Sequence, residues 1–133
     1  MTDITVGTEI PPLTLPPISR YTLALFAGAS GDHNPIHIDS DFAKASGMPD
    51  VFAHGMLSMA YLARLLTGWK AQSSIRKFST RFATITQLQD VVTCSGTVVE
   101  IIEAQGETLA RCEIKINNQN GVSTLVGEAT VAL

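Results

Sequence analysis

The chain has 133 residues, a length that builds one hydrophobic core and falls short of two. Hydrophobic residues make up 45% and charged residues 16%, a composition that excludes an intrinsically disordered chain. The formal net charge of -3 and the scattered positions of the nine Lys and Arg residues argue against a nucleic-acid partner, and we expect one domain over residues 1–133.

The sequence also bears on membrane association and on redox state. The most apolar stretch, residues 56–66, is interrupted by Ser58 and Arg64 and is too short to span a bilayer, and the N-terminus does not resemble a secretory signal. We therefore expect a cytoplasmic protein with no membrane partner. Cys94 and Cys112 lie in apolar segments without metal-ligand spacing, which favours two buried, reduced thiols over a disulfide.

An extended arm and a helix are expected at the start of the chain. Two Pro-Pro pairs before residue 18 exclude a helix there and predict an extended arm with one strand near Thr14. Ser19 is a suitable N-cap for a helix that contains the apolar residues 21–26. We expect Gly28 and Gly31 to end this helix.

A loop and a short helix are expected next. Residues 32–39 predict a loop, because Pro35 lacks a backbone donor and favours extended geometry in the residue before it. Asp39 or Ser40 can then cap a short helix over residues 41–45.

A long apolar helix and an all-β remainder follow. Residues 54–67 carry apolar side chains on nearly every face, so we expect a central helix that other structure surrounds, closed by Gly68. The rest is rich in Val, Ile, Thr and Phe and predicts an antiparallel meander of four strands, at residues 78–86, 91–102, 108–117 and 122–133. These patterns predict an α+β domain in which a curled antiparallel sheet wraps around the long helix.

Histidine positions raise the question of a metal site. His33, His37 and His54 lie close together in the sequence, and no histidine occurs elsewhere. His33 and His37 have the i, i+4 spacing of a helical ligand pair, but Pro35 between them disrupts the helix that such a pair requires. The sequence also lacks an HExxH glutamate, a Gly-rich phosphate loop and a Ser nucleophile elbow. We therefore predict no metal site.

Asp32 and His37 form the first candidate pair. They flank a loop that Gly31 introduces and that Asn34 and Pro35 support. Without further context, turn chemistry explains these residues equally well, since Asp and Asn bond nearby backbone and Pro fixes φ. A carboxylate and an imidazole on a stiff loop can, however, bind one water molecule between them, and an imidazole titrates near neutral pH, as general acid–base chemistry requires.

The start of the long helix provides a second candidate group. The first backbone N–H groups of a helix have no internal acceptor and carry positive partial charge. Gly55 has no side chain that would keep a ligand away from them, so an anionic oxygen can bind there. For His54 beside it, a purely structural role near the helix cap is the alternative interpretation.

Together these segments resemble the hydratase 2 motif of MaoC-like (R)-specific enoyl-CoA hydratases and 3-hydroxyacyl-thioester dehydratases. The similarity rests on Tyr21, residues 27–37 (AGASGDHNPIH), Asp39, Ala43 and residues 52–56 (FAHGM). The specific part covers about residues 21–57, and the β-rich remainder fits the same fold. The resemblance implies a single hot-dog domain with the helix from about His54 inside the curled sheet.

The resemblance implies reversible addition of water to a trans-2-enoyl thioester of CoA or acyl carrier protein, which gives the (R)-3-hydroxyacyl thioester. Asp32 and His37 would bind the water and exchange protons with the substrate, while the Gly55 N–H would stabilise the developing oxyanion. No cofactor is implied, because the thioester and the oxyanion donor acidify the α-proton. The candidate substrate-binding residues are His54, Met56 and Ser58.

The resemblance also implies a second hot-dog unit. The single unit here would work as a homodimer or as a heterodimer with another hot-dog chain, and free sheet edges favour such pairing. Two other functions stay open: a partner-dependent or non-catalytic subunit of a heteromeric dehydratase, and an acyl-CoA thioesterase. Activity of the purified chain alone would argue against a partner-dependent subunit. Release of free thiol from acyl-CoA would indicate a thioesterase. Candidates for contacting CoA phosphates are Lys70, Arg76, Lys77 and Arg81.

Overall fold

Three α-helices lie between the first and second strands of a five-stranded sheet. This arrangement is described by a computed structural model that covers residues 3–133. The elements in chain order are β1 (Glu9–Thr14), α1 (Arg20–Ser30), a 3-10 turn (Pro35–His37), α2 (Ser40–Ala45), α3 (Gly55–Thr67), a second 3-10 turn (Gln72–Ser74), β2 (Ile75–Phe82), β3 (Thr93–Ala104), β4 (Glu107–Asn117) and β5 (Ser123–Ala132).

The sheet is antiparallel throughout and has the strand order β1-β3-β4-β5-β2. The predicted meander is correct for β3, β4 and β5 but wrong for β2, which pairs with β5 at the far edge. The predicted strand over residues 78–86 also ends earlier, at Phe82. Later residues bond instead to the segments that precede α1 and α3: the Ala53 N–H donates to Thr86 O and the Gln89 N–H to Ile18 O. Because these backbone groups are occupied, they cannot form a hairpin between β2 and β3.

Prolines in β1 are tolerated because β1 is an edge strand. It pairs with β3 alone, and its register shifts between Ile10 and Leu13, where the two prolines lie. Edge strands accept proline since one row of N–H groups faces away from the ladder. The predicted extended arm is therefore confirmed.

Helix α1 begins as predicted but ends later than Gly28. The Ser19 hydroxyl accepts a hydrogen bond from the Thr22 N–H at 3.1 Å, as an N-cap does. The helix continues through Gly28, since an interior glycine weakens a helix without breaking it. It ends at Gly31, whose φ of 78° is left-handed and whose N–H donates to Ala27 O.

The predicted loop contains one turn of 3-10 helix, and α2 follows it directly. Asp39 caps α2 by accepting from the Phe42 N–H at 3.2 Å. The helix runs over Ser40–Ala45, one residue earlier than predicted.

Helix α3 packs one side against the sheet and leaves the other side open. Leu62, Leu65 and Leu66 are buried against apolar residues of the sheet. Met56, Ala60 and Arg64 form an exposed stripe on the opposite face, and Met56 is 56% exposed. The expectation that other structure surrounds α3 is therefore wrong within one chain, because the sheet covers only one side of the helix.

Strand β4 shows the predicted alternation of buried and exposed side chains. Ala110, Cys112, Ile114 and Ile116 are buried, while Glu113 and Lys115 on the outer face are exposed. Both cysteines are buried and free, and burial raises the pKa of the Cys94 thiol to about 12 and of the Cys112 thiol to about 11. None of the helices in residues 3–133 combines the length and apolar character that crossing a membrane requires.

Gly127 of β5, which faces Thr80 of β2, has no room for a side chain. A Cβ atom at Gly127 would overlap the carbonyl oxygen of Ser79, and a backbone atom cannot rotate aside. We expect Gly127→Ala to lower the free energy of unfolding by about 3 kcal/mol or more. Gly28→Ala is the matched control, because nothing lies within 4 Å of the added atom. It should be neutral or stabilising by up to about 1 kcal/mol in urea titrations, and equal midpoints for the two variants would contradict the prediction.

Candidate active site

The loop after α1 is shaped by its own side chains. The Asp32 N–H donates to the Ser30 hydroxyl at 3.1 Å, and the Asn34 N–H donates to Asp32 Oδ1 at 3.2 Å. The Asn34 amide oxygen in turn accepts from the Ile36 N–H at 3.1 Å and caps the 3-10 turn that Pro35 begins. Turn chemistry thus accounts for the backbone path, and it leaves Asp32 Oδ2 free of protein hydrogen bonds within residues 3–133.

His37 is held in one tautomer by a backbone carbonyl. Its Nδ1 lies 2.7 Å from Phe52 O, and the side chain is 8% exposed. Since a carbonyl oxygen only accepts, Nδ1 carries the proton and donates it to this bond. The other ring nitrogen, Nε2, is therefore the basic one in the neutral ring.

His54 lies directly behind His37 and is almost completely buried. The two rings are stacked, with centroids 4.0 Å apart and planes inclined by 27°. The His54 side chain is 1% exposed, its Nε2 donates to Asp32 O at 3.2 Å, and Phe26 of α1 packs edge-on against it at 4.8 Å. Burial lowers the pKa of His54, and the charge of His37 lowers it further. His54 is therefore a neutral side chain at pH 7.

Asp32, His37 and His54 converge on one small region. One carboxylate oxygen and one nitrogen from each ring all lie within 4.8 Å of one another. One water molecule that forms a hydrogen bond of about 2.8 Å to each of two groups can bridge such a separation. The structure therefore brings together Asp32 and His37, the candidate pair that the sequence predicts.

The same three side chains are a possible set of metal ligands, but their geometry favours water. Stacked imidazoles direct their in-plane lone pairs side by side rather than toward a common point. One nitrogen of each ring is bonded to a backbone carbonyl, which leaves only the other nitrogen of each ring as a possible ligand. The exposed His33, whose spacing raised the question of metal binding, lies outside this cluster.

Gly55 begins α3 with an available N–H group. His54 is the N-cap and provides no side-chain capping bond, and within residues 3–133 the Gly55 N–H has no hydrogen-bond acceptor. A cavity of about 290 Å³ opens beside Gly55. A Cβ atom at position 55 would lie 3.0 Å from Cε1 of Phe82, so the absence of a side chain lets the Phe82 ring pack here. An oxyanion in this cavity would meet a helix N-terminus.

The other predicted binding residues occupy different surroundings. Ser58 is buried and lines the cavity, where its hydroxyl lies 3.4 Å from the Thr86 hydroxyl. Met56 is exposed on the open face of α3 and does not line the cavity. A larger groove of about 660 Å³ crosses the outer face of the sheet. Neither cavity is lined by Asp32 or His37, and we assign the site to the smaller one because Gly55 and Ser58 line it.

Three contributors to the site were not anticipated from the sequence. Phe26 packs on His54, the Phe52 carbonyl fixes His37, and Phe82 covers Gly55. Phe52 is the first residue of the FAHGM segment, which is a usable signal. Phe82 belongs to an edge strand, and no local pattern shows that the end of β2 returns to the start of α3.

Asp50 ties together the elements that carry the site. Its carboxylate accepts from the hydroxyl of Ser40 in α2 and from the Val51 N–H, both at 2.7 Å, and pairs with Arg20 of α1. The pKa of Asp50 is lowered from its usual value of 3.8, chiefly by the Ser40 hydrogen bond and then by the Val51 N–H. This carboxylate therefore connects helices α1 and α2 to the segment that leads to His54.

A lowered pKa means that the folded protein releases the Asp50 proton more readily than the unfolded chain does. The stabilisation is thus present above pH 3.8 and is lost as the pH falls through the folded-state pKa below it. We expect Asp50→Asn to lower the Tm at pH 7, and we expect this difference to narrow at pH 3. Thermal unfolding at both values measures it, with Asp41→Asn in α2 as a control. A difference that is the same at both pH values would contradict the prediction.

Comparison with known proteins identifies the family of the chain. A family model described as the MaoC like domain matches residues 5–119. The chain belongs to the MaoC-like domain family. An (R)-specific enoyl-CoA hydratase of Rhodospirillum rubrum is 31% identical over 116 residues, which cover 86% of this chain and 78% of that protein.

Two other similar proteins differ in how much of their length this MaoC-like domain covers. The fatty acid synthase subunit beta of Saccharomyces cerevisiae is 29% identical over 126 residues, which are 90% of this chain but only 6% of that protein. The solved structure of R-hydratase PhaJ1 from Pseudomonas aeruginosa superposes with a TM-score of 0.87 at 28% identity, covering 96% of this chain and 81% of that one. The MaoC-like domain therefore has the hot-dog fold, and the α+β prediction of a curled sheet around a helix is confirmed.

Proposed function

We propose that this MaoC-like domain is a hydro-lyase that reversibly hydrates a trans-2-enoyl thioester to the (R)-3-hydroxyacyl thioester. The observation that carries the proposal is the Asp32–His37 pair, within bridging distance of one water molecule, together with the free N–H of Gly55. The hydratase from R. rubrum supports the reaction class.

In the proposed reaction, one water molecule binds between the Asp32 carboxylate and Nε2 of His37. One of these groups removes a proton as the water oxygen attacks the β-carbon of the enoyl group. The β-carbon then carries the new C–O bond, and the electron pair of the double bond moves onto the thioester as an enolate. The pair returns a proton to the α-carbon, so that one water is added and both side chains end in their starting states.

The enolate oxygen is assigned to the N-terminus of α3. The Gly55 N–H lies at the first position of α3, whose N-cap makes no side-chain bond, and this donor is fixed before the reaction begins. A preorganised donor stabilises negative charge that develops in the transition state and needs little rearrangement. Ser58 and the cavity beside Gly55 would contact the rest of the substrate.

The thioester carrier is CoA or acyl carrier protein, and the proposed chemistry requires no cofactor. Among the cations considered for CoA phosphates, Arg76 already forms two hydrogen bonds with Glu107. Lys77 and Arg81 of β2 and Lys70 beside it remain candidates.

The working unit is proposed to be a homodimer or a heterodimer with another hot-dog chain. Strands β1 and β2 form the two edges of the sheet. Unpaired edge N–H and C=O groups favour pairing with a second strand. An exposed stripe on α3, with Met56 at its start, is also available for cover by a second unit.

The test is incubation of the purified chain with crotonyl-CoA. Hydration lowers the absorbance of the conjugated enoyl thioester without releasing free thiol, and chiral analysis of the product should give the (R)-3-hydroxy isomer. Release of thiol would instead indicate a thioesterase. Activity that requires a second hot-dog chain would indicate a partner-dependent subunit, and no turnover with enoyl thioesters of any length would refute the proposal.

A further inference from the structure

His54 is too deeply buried to act mainly by touching a substrate. It is 1% exposed, and it does not belong to the residues that line the cavity beside Gly55. Its contacts lead to the two acid–base residues instead. A different role from substrate binding therefore has to account for this side chain.

The two contacts of His54 act on different parts of the catalytic pair. The Nε2–H donates to the main-chain oxygen of Asp32, which fixes the loop from which the carboxylate projects. The ring face supports the imidazole of His37, whose own Nδ1 is held by the Phe52 carbonyl. His37 is thus confined by a hydrogen bond at its edge and by a ring at its face.

The hydrogen-bond pattern also defines the charge state of His54. Because Asp32 O only accepts, Nε2 carries the proton, and Nδ1 has no partner within the described residues 3–133. Protonation would place a second, unpaired N–H in the interior, next to His37. The titratable groups that face His54 are His37 and Asp32, while α1 contributes only the uncharged ring of Phe26. The proton exchanged in the reaction is therefore held by the Asp32–His37 pair and not by His54.

We propose that His54 is a positioning residue, which holds the Asp32 loop through Nε2–H and supports the His37 ring while itself staying neutral. This inference rests on the proposed hydratase function, because it assigns the relative placement of the two acid–base groups to a third side chain. A displacement of about 1 Å between reacting groups costs on the order of a hundredfold in rate, so such support has a measurable effect.

Two substitutions separate the two contacts. His54→Phe keeps a ring against His37 but lacks the donor to Asp32 O, and His54→Gln keeps an amide donor but lacks the ring. We expect His54→Phe to lower kcat by about tenfold to a hundredfold with KM changed by less than about threefold, and His54→Gln to recover part of the loss. His33→Phe and His33→Gln in the same loop are the matched controls, since His33 is exposed and lies outside the cluster.

A spectroscopic measurement tests the contact without any substrate. In ¹⁵N NMR of the wild-type chain, we expect His54 to be the neutral Nε2–H tautomer at pH 7. This measurement decides the question even if His54→Phe does not fold. It also separates the two proposals, because a chain without hydratase activity still shows whether His54 holds Asp32.

Several outcomes would overturn the positioning role. These are wild-type kcat in His54→Phe, a loss confined to KM, and a His54 ring that gains a proton or carries its proton on Nδ1 near neutral pH. A fall in kcat with KM nearly unchanged, partial recovery in His54→Gln and a neutral Nε2–H ring support it.

Discussion

Asp32→Asn is expected to lower kcat for enoyl-CoA hydration by a factor of about 10² to 10⁴, the usual contribution of a positioned acid–base group. The amide retains the size of the carboxylate and an oxygen that accepts from the Asn34 N–H, so the loop can keep its path. It cannot take a proton from water at neutral pH. Steady-state rates with crotonyl-CoA, followed as loss of enoyl absorbance, measure the effect.

The partner residue provides an internal check on this prediction. His37→Ala should cause a loss of similar size, and the double variant should be little worse than the more damaging single one, because the two groups act on the same water. Asp41→Asn, which alters an exposed carboxylate of α2, is the control and should keep wild-type kcat. Near-normal turnover in Asp32→Asn or His37→Ala would remove these residues from the mechanism.

Gly55→Pro is expected to lower kcat by about 10² to 10³ relative to Gly55→Ala, the loss typical for one oxyanion donor. Proline removes the N–H but suits the first position of a helix, where that group has no intrahelical acceptor. The preceding residue, His54, has φ −56° and ψ 137°, which is compatible with a following proline. The helix should therefore survive a change that deletes the donor.

Gly55→Ala is the appropriate reference because it shares the steric part of the change. Both side chains meet the Phe82 ring, which is 54% exposed and free to move outward. The difference between the variants then reports the loss of the N–H together with the ring carbons that replace it. Equal kcat values for proline and alanine, in proteins of equal Tm, would show that the Gly55 amide does not stabilise the transition state.

Local chemistry is what made much of the architecture predictable. Ser19 and Gly31 carry cap signals that depend on a few adjacent residues, and both positions are confirmed in α1. The alternation in β4 likewise reflects a two-residue period that the sequence displays directly. The position of β2 did not follow from such signals, because the choice between β3 and β5 as its neighbour depends on where residues 83–92 pack.

The candidate site also has parts that the sequence predicts and parts that it does not. Asp32, His37 and Gly55 were chosen from their loop, their titration range and their place at a helix start, and the structure brings the two side chains together. The stacking of His54 on His37 could not be predicted from the sequence. It depends on how the chain between α2 and α3 places the His54 ring relative to the His37 ring. The contact of Phe82 with Gly55 could not be predicted either, because Phe82 lies at the end of the edge strand β2, far from Gly55 in the sequence.

Residues 52–55 concentrate the geometry of the site in one tetrapeptide. The Phe52 carbonyl orients one imidazole, His54 secures the acidic loop, and Gly55 presents its amide. A drift of this segment relative to the sheet would therefore carry all three groups along as a unit. Insertion of a single residue here should abolish turnover, whereas the surface turns at residues 104–107 and 118–121 should accept inserted residues with little consequence.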